Sequence, residues 1–184
     1  GSNGKSTFLD MVKNVLGRPN YVSLDMDELG ERFSTTTMFG KLANIGDDIS
    51  DEFLQGKVIA QFKKIVSGND IKAENKGQDA YFFKPTVKLL FSANEIPRMR
   101  NKGFEAIKRR LVIIPFNAKF SKNDEDFDAG ITWKLKKQDV AEYLIKLGIE
   151  GLKRVLTNQG FTESQKVKDE VDNFEKDNNP ILLF

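Results

Sequence analysis

The chain opens on Gly1-Ser2-Asn3-Gly4-Lys5-Ser6-Thr7, and those seven residues leave few folds open. They match the second half of G-x-x-x-x-G-K-[ST], a glycine loop whose backbone cradles phosphate. The residues after the loop are patterned as a helix. Phe8, Leu9, Met11, Val12, Val15 and Leu16 fall on one apolar stripe, and Gly17 and Pro19 stop it. A loop that opens into a helix offers free N–H groups and the positive end of the helix dipole to an anion. In such a site Lys5 reaches the β- and γ-phosphates and the Ser6 hydroxyl ligates Mg²⁺. Ser2, Asn3, Gly4 and Thr7 complete the loop. The competing reading is a capped turn, and the helix behind the loop favours the nucleotide site. The pattern's first glycine and its feeding strand would lie before residue 1, so a piece of a longer protein is expected.

The absences narrow the chemistry. The 184 residues include no Cys and no His. Disulfide frameworks, thiol or Ser-His-Asp catalysis and Cys- or His-ligated metals are therefore excluded within these residues. A formal charge of +2 is too small to argue for nucleic acid by itself. No apolar run approaches the roughly 20 residues that span a bilayer. An intracellular chain with no membrane partner is the expectation. The 15 Phe within 39% apolar residues can build a sizeable core.

Further along, Tyr21–Leu24 is a short strand candidate, and residues 25–39 read as a helix and then a loop. Lys41 to Asp48 reads as a buried strand ending in two carboxylates. NTPases use such a pair for Mg²⁺ and for activating water. Asp47 would hold the metal and Asp48 would act as base; the alternative is a loop whose Asp residues cap the next helix. Ser50 can cap that helix, with Phe53, Val58, Ile59, Phe62, Ile65 and Val66 as its core stripe. Residues 70–84 form a β-hairpin pattern turning at Asn75-Lys76-Gly77. Lys76 at the tip, with Lys72 and Lys84 on the arms, either touches a phosphate backbone or is simply solvated.

Val87–Asn94 is the strongest strand pattern, and Asn94 closes it where open α/β sheets place ligand contacts. It could orient the attacking water or merely begin a turn. A basic stretch ending in Lys108-Arg109-Arg110 precedes Leu111–Phe116, read as a second buried strand. Arginines there could stabilise phosphoryl-transfer charge or form a solvated loop. An acidic connector over 121–130 leads to helical patterns: a long helix striped by Val140, Ala141, Leu144, Leu147, Gly148, Leu152 and Val155, then a last helix capped by Thr162 and Gln165. An apolar tail, Ile181–Phe184, suggests that the polypeptide continues.

In order and spacing, several segments together resemble the superfamily 3 helicase module of phage and plasmid primase-helicases. They are the loop, Asp47-Asp48, Ser67-Gly68-Asn69-Asp70, Phe91-Ser92-Ala93-Asn94-Glu95-Ile96-Pro97 and Lys108–Phe116. The resemblance implies an AAA+-like α/β P-loop domain with a mainly parallel sheet lacking its first strand. It implies a hairpin insertion and a small C-terminal helical region, divided as an ATPase core over 1–120 and helices over 121–184. It implies ATP and Mg²⁺ at Gly4, Lys5, Ser6 and Thr7, an acidic pair at Asp47 and Asp48, and a sensor at Asn94. Arg110, with Arg109 in reserve, is implied as a finger reaching the next subunit's ATP. The hairpin, with Lys76 and Lys72, is implied to grip single-stranded DNA. The expected activity is DNA translocation and unwinding of forked DNA by a homo-oligomeric, hexameric ring, in the cytoplasm of a bacterial host. A primase domain is expected in a preceding part. An assembly or loading module without unwinding activity is the alternative, and a small-molecule kinase using the same loop is a third.

Overall fold

The computed structural model describes residues 3–47, 49, 56–95, 104–125 and 127–178. In chain order the elements are α1 (Lys5–Leu16), β1 (Tyr21–Val22), β2 (Ala43–Gly46), α2 (Gly56–Val66), β3 (Ile71–Ala73), β4 (Tyr81–Phe83) and β5 (Lys88–Phe91), followed by α3 (Phe104–Lys108), α4 (Ile131–Lys134), α5 (Gln138–Asn158) and α6 (Gln165–Asn178). The chain forms two compact units, one from residues 16–111 with 175–184, the other from residues 1–15 with 112–174.

The first unit is built on a parallel sheet in the order β1-β2-β5. Tyr21 pairs with Ala43, and Ala43 to Gly46 pair with Lys88 to Phe91. All four residues of the central strand β2 are buried. A polar residue at the strand's centre, Asn44, is fully buried and works as a clamp. Its Oδ1 accepts from Leu24 N at 2.8 Å and its Nδ2 donates to Leu24 O at 3.0 Å. The side chain thus ties the segment after β1 to β2 where strand pairing has ended, leaving neither backbone group of Leu24 unsatisfied. Gly46 is set by close approach, since a Cβ there would lie 2.5 Å from Leu24 O and 2.7 Å from the Phe91 ring.

Residues 25–39 hold two 3-10 turns, Asp27–Gly30 and Ser34–Met38, in place of the expected helix and loop. Short polar side chains compete with the helical ladder there. The Thr37 hydroxyl donates to Ser34 O at 2.7 Å, and the Ser34 hydroxyl donates to the Glu31 carboxylate at 3.3 Å. The turns bury Leu29, Thr35 and Met38. Helix α2 turns Phe62 and Ile65 inward as its periodicity predicts, while Val66 is exposed. The proposed cap Ser50 and the stripe residue Phe53 lie outside the described residues. Strands β3 and β4 form the expected antiparallel hairpin, with Ile71 opposite Phe83 and Ala73 opposite Tyr81.

A second expected element also does not form. Leu111–Phe116 is neither strand nor helix, and Val112 and Ile114 are 55% and 61% exposed rather than buried. An apolar β-rich run becomes a strand only when a neighbour takes its N–H and C=O groups, and no described segment pairs with it. Pro115 also lacks a donor.

In the second unit α1 buries Leu9, and the Phe8 ring meets Phe116 at 5.6 Å between centroids. Helix α5 buries no residue. Leu147 and Leu152, expected on its inner stripe, are exposed. Val140, Ala141, Leu144 and Val155 are half-buried along one side. Its C-terminus is closed by Gln159 in the left-handed region, φ 53°, with Gly160 N donating to Val155 O at 3.2 Å. Helix α6 is started by Ser164 rather than Thr162, its Oγ accepting from Val167 N at 3.4 Å.

Candidate nucleotide and nucleic-acid site

The loop lies in the second unit, and its described part runs from Asn3; Ser2 falls outside the described residues. Gly4 takes φ 86°, a conformation open to glycine and strained for other residues. Its carbonyl accepts the first helical bond, from Phe8 N at 2.9 Å, so α1 starts directly from the loop. Lys5 stands at the first helical position, half-buried, followed by exposed Ser6 and half-buried Thr7. The Asn3 side chain donates to Phe116 O at 3.2 Å, and its Oδ1 lies 3.5 Å from Lys5 N. The segment around Phe116 therefore holds the loop from behind. No carboxylate occupies the first turn of α1. The positive helix end is left for an external anion, and these residues fit a phosphate group.

The acidic and sensor positions lie in the first unit. Asp47 follows β2 directly and Asn94 lies three residues past β5. Gly46 and Phe91 are register partners in adjacent parallel strands, so both polar residues leave the same carboxyl edge of the sheet. Asp47 and Asn94 are both exposed. Asp48 lies outside the described residues. Arg110 is held locally, its guanidinium donating to Ala106 O at 2.5 Å and to the Ser67 hydroxyl at 3.2 Å. Arg109 beside it is exposed. Lys108 is ion-paired with Glu175.

The hairpin has an unusually complete support. Thr35 donates to Lys72 O at 3.1 Å. The Thr36 hydroxyl donates to the Asn75 side chain at 3.1 Å and lies 2.9 Å from the Tyr81 hydroxyl. Phe39 meets the edges of Tyr81 and Phe83 at 6.1 and 5.3 Å. Arg32 binds Glu74 through two guanidinium nitrogens, at 2.5 and 3.0 Å. That bidentate bond holds the Glu74 carboxyl below its ordinary pKa, partly opposed by desolvation, and raises that of Arg32. Lys76 lies in the turn, exposed, next to Gly77 at φ 77°. Lys72 and Lys84 are exposed on the arms.

Three features are hidden in the sequence: Asn44, the Ser34–Thr37 run and the Arg32–Glu74 pair. Asn44 reads as an interruption of a weak strand, and the Ser34–Thr37 run reads as loop. A polar residue inside a buried strand pattern is the available signal for the first. Nothing local marks Arg32 and Glu74, which are 42 residues apart. Among the described residues no cluster of acidic side chains could hold a metal, but Asp48 is not among them. No described helix is long and apolar enough to cross a membrane.

A family of unknown function, DUF5906, matches residues 1–110, and the chain belongs to that family. The chain is also 32% identical over 144 residues to a protein of Acanthamoeba polyphaga mimivirus named "Putative helicase L207/L206". That match takes in 75% of this chain and 14% of the viral protein, so the chain spans about a seventh of its relative's length. The A-form apo structure of the NrS-1 C-terminal region has the same fold, with a TM-score of 0.64 and 16% identity, covering 94% of this chain and 40% of that one. A second apo structure of the region gives 0.58 and 14%, covering 76% and 33%. At these identities the likeness establishes the mixed α/β fold.

Proposed function

We propose that this DUF5906 member is the ATP-driven motor segment of a helicase acting in replication of a phage or other mobile element. The observation that carries this is the shared carboxyl edge of β2 and β5, where Asp47 and Asn94 emerge together. That is where open α/β sheets bind their ligands. The phosphate-loop sequence, the glycine conformation at Gly4 and the name of the viral relative support the same reading.

In this reading the fold is a P-loop, AAA+-like domain of superfamily 3. Gly4, Lys5, Ser6 and Thr7, with Ser2 and Asn3, hold ATP, and Ser6 and Asp47 hold Mg²⁺, which neutralises charge on the phosphates. Asp48 polarises the attacking water and Asn94 orients it. An arginine from the adjacent subunit of a homo-oligomeric ring meets the charge of the transition state. Arg110 is the first choice, and reaching a neighbour would require it to release Ala106 O and Ser67. Arg109 needs no such release. Lys76 and Lys72 on the braced hairpin touch single-stranded DNA.

The test is ATP turnover with and without single-stranded DNA for the wild type, Lys5→Ala, Arg110→Ala and Arg109→Ala. Stimulation by DNA is expected, together with loss of turnover by about 10³-fold in the finger variant. Mixing that variant with Lys5→Ala should restore activity through mixed interfaces. Turnover indifferent to DNA in all variants would sink the motor reading. Strand separation on a forked substrate then distinguishes a helicase from a loading module that hydrolyses ATP without unwinding.

A further inference from the structure

A groove of about 450 Å³ in the first unit lies between α2, the two 3-10 turns and β3. Its α2 wall presents Lys57, Gln61 and Lys64, spaced i, i+4, i+7 on one helix face. Lys72 of β3, Arg32 and Thr35 face it from the other side. The lining also includes Glu31 and Glu74, and Glu74 is already neutralised by Arg32. Lys57, Lys64 and Lys72 form no ion pair with any described residue. All three are exposed. Four cations, Arg32, Lys57, Lys64 and Lys72, thus face two carboxylates, Glu31 and Glu74, so the described lining keeps a net positive charge on a concave surface, which concentrates potential.

An aromatic platform adjoins it. Lys72 and Phe82 are direct partners across the antiparallel hairpin, so their side chains share one face. The opposite face holds the buried Ile71 and Ala73. Phe82 is 68% exposed, so its ring face is open to stacking. A cationic groove beside an exposed ring is the combination that binds single strands, the cations following phosphates and the ring stacking on a base. Lys57 and Lys64 stand about 10 Å apart along α2 at about 1.5 Å per residue.

We infer that the α2 face Lys57–Gln61–Lys64, with Lys72 and Phe82, is a binding track for one nucleic-acid strand, separate from the hairpin tip. This rests on the nucleic-acid function proposed above and extends it from the hairpin to Lys57, Gln61 and Lys64 of α2. Gln61 supplies a neutral amide, while Thr35 is buried and donates to Lys72 O, so the contacts are mainly to phosphate and to a base's face. The track is accordingly sequence-tolerant.

The experiment is fluorescence anisotropy with labelled oligo(dT) between 50 and 200 mM salt. It compares wild type, Lys57→Gln/Lys64→Gln, Phe82→Ala and a charge-matched control, Lys63→Gln/Lys88→Gln, whose residues lie outside the groove. Thermal melting of each variant checks folding. Each lost phosphate contact flattens the log affinity–log salt slope by about 0.7 for a single strand. The groove double variant should lose about 1.4 from the slope and at least fivefold in affinity at 50 mM salt. Phe82→Ala should weaken binding about tenfold with the slope unchanged. The control should remain within twofold of wild type. Inorganic tripolyphosphate at equal phosphate concentration should compete poorly; equal competition would mark a free-phosphate site and overturn the track. Equal losses in the two double variants, or an unchanged slope in the groove variant, would also overturn it while leaving nucleic-acid binding intact. A wild type that does not bind oligo(dT) would remove the nucleic-acid reading itself.

Discussion

Asn44 shows how much one polar side chain can carry inside a sheet. Its amide replaces the two hydrogen bonds that a continued β1 would have offered, and it is fully buried in doing so. Replacing it by Leu keeps the branched skeleton but adds bulk at a fully buried site and orphans both groups of Leu24. Each unsatisfied group costs about 1–3 kcal/mol, so losing both in Asn44→Leu should lower unfolding stability by about 2–6 kcal/mol in urea titrations. The ion pair Arg32–Glu74 makes a pH statement at the same scale. Glu74 is depressed chiefly by the Arg32 bond, so its stabilising effect is present above its unfolded pKa and is lost as pH falls through the folded value. The window therefore lies at and below the usual carboxylate range. NMR titration should place the Glu74 midpoint beneath that range, and Arg32→Gln should bring it back up.

Among the elements, the hairpin is the best anchored and α5 the least. Two 3-10 turns, rather than a helix, lie beside the hairpin and brace it. Thr35 and Thr36 reach Lys72 O, Asn75 and Tyr81. At the other extreme, Ile145, Ile149, Leu152 and Leu156 fall on one exposed stripe of α5, from 48% to 69% accessible. Helix α5 also ends on Gln159 at φ 53°, where glycine is the usual residue. The left-handed conformation costs a side chain about 1–2 kcal/mol, and glycine's extra chain entropy offsets part of that gain. Gln159→Gly should therefore stabilise the protein by about 0.5–1 kcal/mol, seen as a raised denaturation midpoint.

For the whole molecule, local sequence determined what depends on nearest neighbours. The glycine loop followed by α1, the inward stripe of α2, the hairpin turning at Asn75–Gly77, and the strands ending near Asp47 and Asn94 were all legible from spacing and turn chemistry. Their periodicities are local, and burial on one face is enough to realise them. Tertiary structure decided what needs a distant partner. It denied strand pairing to Leu111–Phe116, whose apolar composition was correct but whose backbone pairs with no described strand. It made Asn44 a clamp, joined Arg32 to Glu74, held Arg110 against Ala106 and Ser67, and gathered Lys57, Lys64 and Lys72 around one groove. Hydrogen bonds and electrostatic fields act through space, between residues whose separation along the chain carries no trace of the meeting. A sequence pattern records which faces seek burial, and only the folded chain settles which polar groups face each other across it.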